Sequence, residues 1–388
     1  PKFDDTDMAT VRAGNGGAYS GSLATTLKLG EAVSMRLSAG ASVADEWANT
    51  GPLPTVAQRH DPKSVQASLD LVAQLAPKTE LRVEGGWANI QQTTQAGGYS
   101  YAVTKLIADS AKATLTSDTD FGTIQAQVYQ NQLTAKYELA GGINWKNTIT
   151  VASLQDLFKV GAAHTFRIGG EYRHNTLNVA PVGGADVSYN VLAASGMWNW
   201  QVSKQLTTTA ALRVDKLSLE RSGTFVTRAP MANNALWDRD ITETSANVTI
   251  AWRPTEMDTI RVSYARGVQA PSLIEMGGIQ LPVDVAPGFT IDLIGNPNLK
   301  PSIVTNYEVA YDRDIAAIKG KMGLRVFSQD WKDLKSAIST AGLDILPTAT
   351  TNGGATYINA ADSKLKGVEV NVSGKLTENL GWRADYTW

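Results

Sequence analysis

The chain of 388 residues carries 35 Lys and Arg against 37 Asp and Glu, a formal net charge of −2, with 34 Gly and no Cys. The lack of cysteine excludes disulfides, thiolate zinc, iron–sulfur clusters and thiol catalysis, and the near-neutral charge leaves no basic excess to displace phosphate counterions, so nucleic acid is not an expected partner. No apolar run approaches the roughly 18 residues of a helical membrane span, but a membrane barrel has the average hydropathy of a soluble protein and stays open.

In chain order, the opening PKFDDTD has no basic start and no apolar run, so no leader peptide is read there; either the chain is cytoplasmic or its beginning has been removed. A short strand is expected at 8–14. Gly14–Gly21, GNGGAYSG, has no helix after it and reads as a tight connection rather than a phosphate cradle. From there period two dominates. Tyr19, Gly21, Leu23, Thr25, Leu27 and Leu29 alternate with Ser20, Ser22, Ala24, Thr26 and Lys28. Val33 to Val43 and Ser64 to Leu75 do the same, with Val72 the one break. Successive strand residues point to opposite sides, so each run has one apolar and one wet face. Strands are therefore expected at 8–14, 19–29, 32–44, 64–76, 79–91, 99–117, 121–139, 144–158 and 164–177. Others follow at 186–201, 205–220, 241–253, 258–268, 302–314, 320–331, 364–376 and 380–388. Many reach the roughly 9–11 residues that cross a bilayer at a tilt.

The connections sort by length. Short ones fall near Gly30, Pro77, Asp118–Asp120, Lys159–Ala163, Ser203, Pro254–Glu256, Ala316 and Glu378. Long ones cover 45–63, 92–98, 178–185, 221–240, 269–301 and 332–363, with Gly141–Gly142 the exception. Short turns at one end and long loops at the other are the organisation of an all-β, transmembrane, antiparallel up-and-down β-barrel; a soluble sandwich has no reason to sort its loops. If the third strand runs outward, about 17 strands end on the outer side, whereas single-chain barrels close with even numbers. Residues 1–388 are thus expected to be a partial barrel domain.

Trp200, Trp252 and Trp382 lie beside short turns and Trp145 starts a strand at the long-loop end. Such rings form the girdles of membrane barrels; ordinary core tryptophan is the alternative reading. Trp198 and Trp200 sit in a strand whose alternation leaves their facing open. On the wet faces, Arg36, Glu80, Arg82, Glu84, Arg167, Glu171, Arg173, Arg213, Asp215, Arg261, Glu308, Arg325, Glu369 and Arg383 would line a lumen. They suit a polar plug and a water-filled pore equally.

No serine elbow, His-Glu-x-x-His or Walker loop is present, so neither an enzymatic step nor a resident cofactor or metal is expected. His164 and His174 lie at opposite ends of one strand and read as interfacial or lumen polar groups. The long loops carry aromatics expected to be exposed: Trp47, Tyr99, Trp237, Phe289 and Tyr357. Aromatic side chains on anchored loops are common ligand contacts, and these are the candidate binding residues.

Ser263 to Leu273, SYARGVQAPSL, and Gly295 to Glu308, GNPNLKPSIVTNYE, resemble the β-barrel of TonB-dependent outer-membrane receptors. The matching positions are Tyr264, Arg266, Ala270, Pro271, Ser272 and Leu273, then Asn296, Pro297, Leu299, Lys300 and Pro301, then Tyr307 and Glu308. Ser302 departs from the glutamate usual after the second proline. Leu365 to Glu369, LKGVE, and Gln155 to Arg173 are similar in kind. The resemblance implies a barrel of roughly 22 strands, an N-terminal plug with a TonB box, and active uptake across the outer membrane of a Gram-negative bacterium. It implies three partners: outer-membrane lipid, the TonB–ExbB–ExbD complex acting through the plug, and a small-molecule ligand such as a metal chelate (ferric siderophore, haem, cobalamin or similar). Neither plug nor TonB box is recognisable before Thr10. One rival is a passive porin, supported by Leu380, Trp382, Ala384, Tyr386 and Trp388, which imitate a terminal barrel strand. The other is an adhesin-like surface barrel without transport.

Overall fold

Alternation commits each run to a strand with two unlike faces. The computed structural model describes residues 3, 6–46, 61–97, 100–138, 144–180, 185–224, 233–278, 280–286, 289–336 and 354–388, and joins these runs into an antiparallel wall. In order they are β1 (Met8–Ala13), β2 (Tyr19–Leu29), β3 (Val33–Val43), β4 (Lys63–Ala76), β5 (Thr79–Gly97), β6 (Ser100–Asp118) and β7 (Thr123–Glu138). Next come β8 (Asn144–Val160), β9 (His164–Ala180), β10 (Ala185–Gln201), β11 (Leu206–Ser222), β12 (Arg239–Trp252), β13 (Asp258–Gln269), β14 (Gln280–Ala286) and β15 (Phe289–Ile294). The last are β16 (Ser302–Ile315), β17 (Gly320–Lys335), β18 (Gly354–Thr356), β19 (Asn359–Lys375) and β20 (Gly381–Thr387).

Seventeen of these form one up-and-down sheet in which each strand pairs with the next. The other three, β14, β15 and β18, make a small separate sheet between two loops, with β14–β15 antiparallel and β15–β18 parallel. The expected strands are present in the expected order, and three local differences stand out. Residues 92–97 continue β5 instead of forming a long connection, pairing with β6 as far as Gly97↔Ser100. The run QQTTQ has no apolar face, so period two is silent there, while Thr94 and Thr104 bond through their hydroxyls across the hairpin. β19 begins at Asn359 rather than 364 for the same reason. The loop sheet lies in segments without alternation.

Residues directly opposite each other in an antiparallel pair share a face, so the registers divide the wall in two. One face holds Leu23, Ile168, Leu192 and Val309, exposed by 55, 52, 62 and 51%. The charges expected to line a lumen, from Arg36 through Arg383, all fall on the other face. That second face is the inner one, because loop residues pack against it and bury it. The apolar face, open to its surroundings, suits lipid.

The short connections gather at one end. Gly30 and Gly161 adopt φ of 81° and 63° there, which a side chain would resist. Beside these turns the outward face carries a row of stacked rings: Phe158, Phe166, His164, Trp198 and Trp200, with centroids 5.3 to 6.3 Å apart. Trp198 and Trp200 therefore face outward together. Trp145 does not belong to a girdle: its register partners Ala135 and Val179 put it on the inner face, packed on the buried cluster described next.

Candidate functional site

At the long-loop end the inner face changes character. Nearer the turns it is charged: Glu171 contacts Arg173 at 2.8 Å and Arg213 at 3.1 Å, and Arg213 pairs with Asp215 at 2.7 Å. Across the wall Arg82 pairs with Asp70, and Lys112 with Glu84 at 2.8 Å. Two to four residues further along the same strands, the inner face turns apolar. Leu177, Val187, Leu217, Leu219 and Ile241 are buried from β9 to β12, and Trp237 joins Leu273, Met276 and Leu299 from the loops to complete the core.

 The loops thus fold inward and lay a second, apolar layer on the wall.

Each part of this latch has a local cause. Trp237 is 1% exposed; its Nε1 donates to the Met276 carbonyl at 2.8 Å and its ring lies under the Arg221 guanidinium at 5.2 Å. Ser272 and Glu275 form a reciprocal cap on the turn of helix that follows: the Ser272 amide donates to Glu275 at 2.7 Å and the Glu275 amide to the Ser272 hydroxyl at 3.2 Å. Lys335, at the end of β17, donates to the same carboxylate at 2.9 Å and ties the loop to the wall. Burial pushes the Glu275 carboxyl up, but Lys335 and the Ser272 donors outweigh it and hold it below the ordinary glutamate value. Burial, then the nearby Glu275 charge, raise the Tyr357 hydroxyl.

The family-like residues explain how the loop is held. β12 pairs with β11 as far as Arg239↔Leu219, and β13 with β16 as far as Gln269↔Ser302, yet β12 and β13 part company beyond Ala246↔Arg266. Arg266 fills this fork, donating to the Thr244 carbonyl and pairing with Glu243 at 2.9 Å. Arg239 donates to the carbonyls of Pro297 and Leu299 at 2.6 and 3.1 Å. Asn296 is the hub: its amide donates to Glu275 O at 2.8 Å, its Nδ2 to Tyr357 O at 2.9 Å, and its Oδ1 accepts from the Asn298 amide at 2.8 Å. Leu299, Pro271, Pro297 and Pro301 are buried, while Ala270 and Lys300 are exposed. The Lys300 amide donates to Asn359 at 2.9 Å, which joins this loop to β19. Tyr264 packs on Tyr307 outside, rings 5.3 Å apart, and Glu308 faces inward opposite Ser263.

Of the candidate ligand contacts, Trp47 and Tyr99 lie outside the described residues. Phe289 is the first residue of β15. Tyr357 is partly buried against the apolar cluster. Trp237 corrects the expectation of exposure: it is a core residue of the latch, because the inner faces of β9 to β12 offer it an apolar seat. Glu275, Lys335, Arg221 and Asn359 were not singled out from the sequence; only the Ser272-x-x-Glu275 spacing of a cap signals one of them. Elsewhere in the lumen a cavity of about 800 Å³ lies along β2 to β8, lined by Ser22, Ser38, Ser68, Gly86, Ser110 and Asn131. Among the described residues no group of three His, Asp or Glu could hold a metal ion.

Comparison with known proteins fits this geometry. The profile described as "TonB dependent receptor-like, beta-barrel" matches residues 3–388. Among solved structures, the siderophore receptor PirA from Pseudomonas aeruginosa superposes with a TM-score of 0.72 at 18% identity, covering 96% of this chain and 62% of that one. The copper transporter OprC gives 0.73 at 14% identity, covering 98% and 59%. The Serratia marcescens hemophore receptor HasR, solved with its hemophore HasA and heme, gives 0.68 at 16% identity, covering 98% and 61%. The chain thus spans about three-fifths of the length of these solved structures. No curated protein sequence matches it.

Proposed function

Because the chain belongs to the TonB-dependent receptor β-barrel family, we propose that residues 1–388 are barrel domain of an outer-membrane receptor of a Gram-negative bacterium that imports a scarce nutrient complex. The ligand is a small metal chelate, such as a ferric siderophore or haem, and the TonB–ExbB–ExbD complex supplies the energy through a plug held in the lumen. Outer-membrane lipid surrounds the apolar face. The chain's part in this scheme is binding and gating, with no bond made or broken.

The observation that carries the reading is the latch. Loops that fold inward and bury an apolar layer on the long-loop end of the inner wall, beyond the charged band, place polar groups where a plug or ligand would meet them. Planar-bilayer conductance of the intact protein tests it: a receptor gives negligible steady current. Large, steady, non-saturating conductance would support the porin reading instead.

A further inference from the structure

The outward face carries a second feature that uptake does not use. Where the apolar belt of β4 to β8 ends toward the long loops, one cross-strand row reads Lys63, Gln91, Lys105, Lys136 and Asn144, each directly opposite the next. Lys146 stands beside it, one step toward the belt on β8. Lys63, Lys136 and Lys146 are exposed and Lys105 is half-buried. Lys105 and Lys136 face each other across a single strand spacing, with Cα atoms about 5 Å apart, and Lys63 is about 10 Å from Lys105.

Like charges directly opposite in a sheet repel, and here no described carboxylate relieves them. Asp109, two steps down β6 on the same face, receives Gln132 at 3.4 Å. Two other outward-facing lysines have carboxylate partners: Lys216 pairs with Asp240 at 2.8 Å and Lys364 with Asp330 at 3.7 Å. The unmatched row sits just beyond Val65 and Trp87, exposed apolar residues of the belt. That is the height of lipid headgroups on the outer side, where a basic cluster attracts anionic ones. Three ammonium groups across four strands complement several phosphates carried on one rigid headgroup better than a single-phosphate lipid.

We propose that this row is a binding site for a phosphorylated glycolipid of the outer leaflet. The inference rests on the proposed orientation, with the long loops outward, but not on transport. The intact protein purified in neutral detergent would be titrated with bis-phosphorylated lipid A and followed by native mass spectrometry. K63Q/K105Q/K136Q should weaken binding by roughly tenfold or more, and K63R/K105R/K136R should retain it. Dephosphorylated lipid A should bind the unaltered protein as poorly as the Gln variant binds the intact lipid. K216Q/K364Q should change nothing. Equal binding by the Gln variant, or equal retention of phosphatidylglycerol, would overturn the site. Ligand uptake separates the two readings: uptake by the Gln variant without lipid binding leaves the receptor intact, and lipid binding by the unaltered protein without any uptake removes only the transport function.

Discussion

Trp237 shows how much a single side chain can hold. It is buried, donates its indole N–H to Met276, and lies under Arg221. Replacing it with alanine removes a core aromatic, an effect of about 3–5 kcal/mol where the site cannot collapse. The loss should be local: hydrogen exchange should speed up across 270–278 and leave β9 to β11 protected. Unchanged exchange in that segment would mean that the ring does not hold the loop. Trp237→Phe keeps an aromatic ring and leaves the buried Met276 carbonyl without its donor, so it should cost less, about 1–3 kcal/mol. This is also the residue least legible in the sequence. A tryptophan between two long polar stretches reads as an exposed loop aromatic, because its burial depends on apolar inner faces four strands wide that only the register assembles.

At the scale of elements, the latch depends on an ion pair as well as on packing. Glu275 has a folded pKa below its ordinary value, so the stability it contributes is present above the unfolded pKa and lost as pH falls through the folded one. Loop protection at 270–278 should therefore weaken on acidification below the ordinary glutamate range. Glu275→Gln should remove that pH dependence, and an unaltered acid profile in the variant would assign it elsewhere. The two faces of the wall give a sharper contrast. Leu154 faces outward and Gln127 inward. Leu154→Lys should destabilise the barrel in bilayers by up to about 2–4 kcal/mol, while Gln127→Lys should change little; equal costs would mean that the faces are misassigned. Strands were legible wherever one face was apolar. The β5–β6 extension and the loop sheet were not, because polar residues on both sides erase period two and leave pairing to long-range register. The Arg266 and Asn296 motifs were readable as strings, but their roles, filling a strand fork and joining two loops, depend on partners that only the folded wall brings together.

For the whole molecule, the design is a wall with three zones: an apolar outer belt, a charged inner band, and an apolar inner cap made by returning loops. The belt fits lipid, the band fits polar matter in the lumen, and the cap covers the inner wall at the long-loop end. Together they favour gated uptake over free diffusion. The most direct measurement is uptake of labelled ferric chelates by cells carrying the intact protein, with and without a functional TonB complex. The account predicts saturable uptake of at least one chelate that stops when TonB is lost or the proton-motive force is collapsed. Uptake that persists without TonB and rises linearly with concentration would contradict it.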